Sequence, residues 1–144
     1  MAETADVLVV ANRTAGSPEL LEALKARAEQ GPAKFHLLVP ATPHGAAWMA
    51  DMHSGGGEAE AHVKAAVERL RDAGLEVDDG KVGDPDPVAA VEDAVNFHKF
   101  DEIVVSTLAK HVSKWLKLDL PHRVERATGL PVQHVTASET KLTV

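Results

Sequence analysis

Cysteine is absent from the 144-residue chain, which excludes disulfides and thiolate metal sites. Tyrosine is absent too, and aromatics make up only 3% of residues. A platform that stacks single-stranded nucleic acid needs more of them. Positive charge is in deficit: 15 Lys and Arg against 22 Asp and Glu give a net charge of −7 with His neutral. Such a surface repels phosphate backbones and anionic headgroups, so neither nucleic acid nor a membrane surface is an expected partner. No apolar run approaches the ~20 residues that a membrane helix requires. No positive charge precedes the apolar run in residues 1–10 (MAETADVLVV). A secretory signal is therefore not expected, and the location is read as cytoplasmic.

The sharper catalytic and cofactor signatures are missing as well. A phosphate-cradling loop needs Gly-x4-Gly-Lys-Ser/Thr, because backbone N–H groups and the Lys must converge on the phosphates. The nearest string, Gly74 to Lys81 (GLEVDDGK), has five residues between its glycines, and Val82 follows where a hydroxyl should be. It reads as a helix stop followed by a turn. No Gly-x-Gly-x-x-Gly follows the first apolar run, and no Gly-x-Ser-x-Gly nucleophile elbow occurs. Eight His residues raise the question of a metal. Glu58 and His62 share a helical face, and His44, Asp51 and His53 lie just before them. Without a HExxH pattern these residues assign no metal site, and no catalytic residue is assigned either. Asp84 and Asp86 form either a carboxylate pair or, on the simpler reading, a turn residue and a helix cap.

What is present is an ordinary globular balance, 44% hydrophobic and 26% charged, at a length that predicts one domain over residues 1–144. Val7–Ala11 is a β-branched run without alternation, as in a strand covered on both faces. Ser17 then reads as an N-cap, with Pro18 at the first helical position and Leu20, Leu21, Leu24 and Ala28 as one stripe. Gly31 and Pro32 stop that helix. Strands follow at Phe35–Val39, at Leu75–Val82 (weakened by Asp78, Asp79 and Gly80), at Ile103–Val105 and at Pro131–Thr136. Helices are predicted over 59–73, after an Asp86 cap, and over 112–127 in two pieces, with Asp119 capping the second. Residues 138–144 are a tail or an edge strand. His36 falls inside a strand and reads as a core or sheet histidine. This alternation predicts a parallel sheet with helices on both faces, a three-layer α/β/α class. The irregular stretch 40–57 is long enough to be a lid or a mobile segment. Its Gly55-Gly56-Gly57 is either a hinge for the Trp48 loop or a source of anion-binding N–H groups.

Ligands of such sheets sit beyond the carboxyl ends of the strands. The loops there begin at Asn12, Pro40, Gly83 and Ser106. Lys110, His111, Lys114 and Lys117 form a local basic cluster after the fourth strand. It is either a solvated helix face or an attractor for an anionic ligand.

The stretch Gly83–Thr107 (GDPDPVAAVEDAVNFHKFDEIVVST) resembles a turn, apolar-striped helix and Asp-x-Ile-Val-Val strand of the universal stress protein family. Arg123 through Val132 resembles the last helix and Pro-Val strand of that family. The resemblance implies a five-stranded parallel sheet in the order 3-2-1-4-5, as in adenine nucleotide α-hydrolase-like folds, and a homodimer. Some members bind ATP. In binders an Asp after the first strand lies near the adenine; here the position is Asn12. Val39 takes the adenine-side apolar position, and Gly83 matches the turn glycine. The phosphate loop Gly-x2-Gly-x9-Gly-Ser/Thr becomes Ser106, Ala109, Leu118 and Asp119, with the second gap one residue shorter. The candidate ligand set is thus Asn12, Val39, Gly83, Ser106, Thr107, Ala109, Lys110, Asp119 and Leu120. The resemblance implies a binding or regulatory module rather than an enzyme. ATP is not expected in the usual pose, and the open alternative is another nucleotide or a small anion held by Asn12 and the Lys cluster. The terminal strand that pairs across the family dimer reads Val132-Gln133-His134-Val135 here.

Overall fold

A computed structural model describes residues 4–11, 17–40, 52–78, 80–83, 86–108 and 119–137. Six strands, β1 (Ala5–Val10), β2 (Ala33–Pro40), β3 (Glu76–Val77), β4 (Lys81–Gly83), β5 (Glu102–Leu108) and β6 (Val132–Ala137), form one sheet. Its order is β3-β2-β1-β5-β6, with β4 also on β2, and every pairing is parallel. Four helices are described: α1 (Pro18–Gln30), α2 (Met52–Asp72), α3 (Pro87–Phe97) and α4 (Leu120–Thr128).

The sheet has six strands rather than the expected five, and the order 3-2-1-4-5 holds only when β3 and β4, both on β2, are counted as one broken third strand. β3 pairs with Lys34 and Phe35 of β2, and β4 pairs with Leu38 to Pro40 of the same strand. Between them Asp78 turns its carboxylate back to accept from the Gly80 N–H at 2.9 Å. That local bond competes with the ladder and breaks it.

The unalternating run in β1 has the cause that its pattern suggests. Val7 and Val9 pack with Phe35, Leu37 and Val104 against Leu20 and Leu24 of α1 and Val63, Val67 and Leu70 of α2. Leu8 and Val10 pack with Leu38, Ile103 and Val105 against Ala90 and Val91 of α3 and Leu120 and Val124 of α4. A strand buried on both faces needs no polar side. Among the described residues no helix is long and apolar enough to cross a membrane.

The caps divide into two that form and one that does not. Ser17 Oγ accepts from the Leu20 N–H at 3.1 Å, and an Asp86 carboxylate oxygen accepts from the Val88 N–H at 3.0 Å. Asp119 occupies the N-cap position of α4 without a side-chain cap bond. Its backbone is left-handed, with φ 55° and ψ 46°, outside the extended range that aims a capping side chain. Pro121, at the second helical position, also offers no N–H to accept from. The Asp119 carboxylate instead lies 3.0 Å from His122 Nδ1. Helix α2 starts at Met52 rather than at 59, so Gly55-Gly56-Gly57 lies within a helix and not in a turn before it. The stripe Val63, Ala66, Val67 and Leu70 anchors that helix. Once nucleated, a helix propagates past poor formers at roughly 1 kcal/mol per glycine.

Candidate functional site

The strand order reverses between β2-β1 and β5-β6, which places a crevice at the carboxyl ends of β1 and β5. Val10 pairs with Leu38 on one side and Val105 on the other. Ala11, Val39 and Ser106 therefore stand one row higher on three adjacent strands. Val82 pairs with Val39, and Gly83 with Pro40, at the same edge. Parallel register alone brings Val39, Gly83, Ser106 and Thr107 to this edge. Asn12, Ala109 and Lys110 lie outside the described residues, as do Lys114, Lys117 and Leu118.

Each described member of the set has a definite environment. Val39 is buried in the core under α1 and α2. A Cβ on Gly83 would stand 2.9 Å from Leu38 Cδ1 and 3.0 Å from Ala90 Cβ. A side chain there would crowd Ala90 of α3 and push the Leu38 tip of β2 aside, so the glycine lets α3 sit close to the sheet. Ser106 is 0% exposed and Thr107 1%. Leu120 is buried in the core under α3 and α4, whereas the Asp119 side chain is 59% exposed. The Thr107 hydroxyl lies 2.8 Å from His134 Nε2 on β6. His134 is exposed overall, and the partial desolvation of its ring pushes its pKa down, so this contact favours a neutral imidazole. A hydroxyl beside a neutral imidazole has the parts of a nucleophile–base pair, but the burial of Thr107 keeps the oxygen from a substrate. His134 did not stand out as a site residue, because its partner is 27 residues away.

Two features lie away from the crevice. A cavity of about 580 Å³ opens between α2 and β4, beside Lys64, Arg71, Gly80 and Lys81. On the other face of the sheet, polar side chains gather below the end of α3. His36 Nε2 lies 3.0 Å from Asp6 Oδ1, and His98 Nε2 lies 3.5 Å from the same oxygen. His36 Nδ1 lies 2.7 Å from Asp78 Oδ2. The bond with His36 is the main reason the Asp6 pKa is held below the usual carboxylate range, with His98 adding to it. Phe100 packs edge-on to His36 at 5.1 Å and against His98 at 4.8 Å. His36 is a sheet histidine, as expected, but a polar one. Its partners are 30 and 42 residues away, and no local spacing signals them. The side chains of the loop set His44, Asp51, His53, Glu58 and His62 lie outside the described residues.

The fold is that of universal stress proteins of known structure. A universal stress protein solved in complex with cAMP is 22% identical, with a TM-score of 0.57 over 95% of this chain and 100% of that one. A universal stress protein family protein from Arabidopsis thaliana with AMP bound is 14% identical, with a TM-score of 0.64 over 94% of each chain. The universal stress protein from Archaeoglobus fulgidus in complex with dAMP is 17% identical, with a TM-score of 0.54 over 94% of this chain and 99% of that one. No family model and no curated protein matches the chain.

Proposed function

We propose that this chain, built on the universal-stress-protein fold, is a non-enzymatic binding and regulatory module that does not hold ATP in the usual pose of that fold. The observation that carries the reading is the loss of donors and space at the carboxyl edge, to which Asp119 adds a smaller charge repulsion. The exposed Asp119 carboxylate stands at the N-terminus of α4, the end of a helix that would otherwise draw a phosphate. Pro121 removes one N–H donor from the same turn. Ser106, at the first glycine position of the binding loop, is wholly buried. The edge therefore offers a negative charge and few free donors among its described residues.

A second reading keeps the crevice as a site for a smaller ligand. The three structural neighbours are described with cAMP, AMP and dAMP, each carrying one phosphate. A monophosphate asks less of an altered phosphate loop than a triphosphate does, and Asn12 and Lys110 would supply hydrogen bonds and charge. Thermal-shift titration with ATP and AMP separates the two. The first reading expects no shift with either at millimolar concentration. The second expects a shift with AMP that follows RT ln(1 + [L]/Kd) and is lost in Lys110→Ala. Tight ATP binding by the unaltered chain, with ATP retained in native mass spectrometry, refutes the first reading. A homodimer is part of the proposal, and the same native mass spectra test it.

A further inference from the structure

We infer that Asp6, His36 and His98 bind a divalent transition ion of the Zn²⁺ class, at a site independent of the carboxyl-edge crevice. Their ligand atoms all lie within 4.8 Å of one another. Both imidazole Nε2 atoms converge on one oxygen, Asp6 Oδ1, at 3.0 and 3.5 Å. Tetrahedral bonds of ~2.0–2.1 Å hold neighbouring ligand atoms about 3.3 Å apart. The two spacings to Asp6 Oδ1 bracket that separation, and within the 4.8 Å span of the set the half-exposed His98 ring is the ligand that turns to complete it.

The surroundings explain why this is more than a surface cluster. Asp78 Oδ2 stands 2.7 Å from His36 Nδ1, a carboxylate acceptor for an Nδ1–H that leaves Nε2 turned to Asp6. Without an ion, an Nε2 proton makes the 3.0 Å hydrogen bond to Asp6; with an ion in its place, the Nε2 lone pair and Asp6 Oδ1 are the two ligands that meet it. The carboxylate–histidine–ligand order is the one that orients metal-bound imidazoles. Asp78 is itself held by the Gly80 N–H, and the Asp6 backbone is fixed on both sides by Asp101. Phe100 walls one side of the two rings. A cavity of about 290 Å³ bordered by His36, Asp78, Lys81 and His98 leaves room for a fourth ligand. Two imidazoles and a carboxylate, with no thiolate in the chain, suit Zn²⁺ with one open position.

The test is titration of chelator-stripped protein with ZnCl₂ against a competing indicator. One ion per chain and a raised melting temperature are expected. His98→Ala removes a half-exposed ligand, so the fold should persist by circular dichroism while affinity falls at least ~100-fold. Asp78→Asn keeps an acceptor for Gly80 but turns an amide toward Nδ1, which favours the wrong tautomer. It should weaken binding by about 10–100-fold. A combined His44→Ala, His53→Ala and His62→Ala variant should bind as the unaltered chain does. No stoichiometric uptake would mean that a proton alone occupies the centre and would overturn the proposal. Uptake that survives His98→Ala, or that disappears in the triple variant, would overturn it equally.

Discussion

Replacing Gly80 by Ala tests how the broken third strand is held against α2. Gly80 has φ +73°, and an added Cβ would lie 2.5 Å from Val63 Cγ1 and 3.1 Å from Val67 Cγ2. Two costs add. An L-residue in the left-handed region loses roughly 1–2 kcal/mol. Overpacking costs roughly 1–3 kcal/mol: both neighbours are β-branched and almost fully buried, and only the cavity that they border gives them room to turn. The entropy lost by the unfolded chain returns about 0.5 kcal/mol. The sum is a destabilisation of about 2–4 kcal/mol, a large part of the ~5–15 kcal/mol typical of a domain. Gly74 separates the two costs. Its φ is +94°, but an added Cβ there meets nothing within 4 Å. Gly74→Ala should therefore cost only about 1 kcal/mol, all of it from the backbone. Urea unfolding followed by circular dichroism measures both variants. Equal destabilisation, or a smaller one at Gly80, would refute the packing of β4 beneath α2.

Three further outcomes follow from single contacts. Ser17→Ala removes the cap bond to the Leu20 N–H from a buried position and should cost about 1–2 kcal/mol in the same assay. His134 has a folded pKa below its unfolded value, so its contribution is complete above about pH 6.5 and fades as pH falls toward the folded pKa. Stability between about pH 7 and 5 should therefore fall more steeply in the unaltered chain than in His134→Gln; parallel curves would refute the desolvation of the ring. The Asp6 pKa is lowered mainly by the bond with His36, so its contribution is present above about pH 4 and lost as pH falls through the folded pKa. Asp6→Asn should flatten the acid limb of the stability curve, and an unchanged limb would mean that the bond with His36 does not form.

Features set by neighbours in the chain could be read from the amino acids alone. The Ser17 and Asp86 caps, the Gly31 stop and the break at Asp78–Gly80 each depend on a few adjacent residues. The doubly buried β1 also showed itself, because burial on both faces removes alternation. What escaped was set by the parallel ladder. Residues opposed across such a sheet are separated by a whole crossover, so Asp6 meets His36 and Thr107 meets His134 without any motif. The Asp119 cap failed for a related reason: a left-handed backbone cannot be seen in the residue type, since Asp serves both as a cap and as an αL residue.

The electrostatic part of the case against ATP is smaller than charge counting suggests. Two unit charges 4 Å apart repel by about 4 kcal/mol at an effective dielectric of ~20, but by only about 1 kcal/mol in water. The Asp119 side chain is 59% exposed and pairs with His122, so the lower figure applies. At 1.4 kcal/mol per decade that is less than tenfold in affinity, far short of the step from micromolar to millimolar. Most of the penalty must then come from lost donors and lost space: a buried Ser106 where a glycine N–H would approach an oxygen, and Pro121 in the first turn of α4. Asp119→Ser should therefore improve ATP binding by less than tenfold in calorimetry. Micromolar ATP affinity from that one change would show instead that charge was the barrier and that the backbone of the crevice already fits a triphosphate.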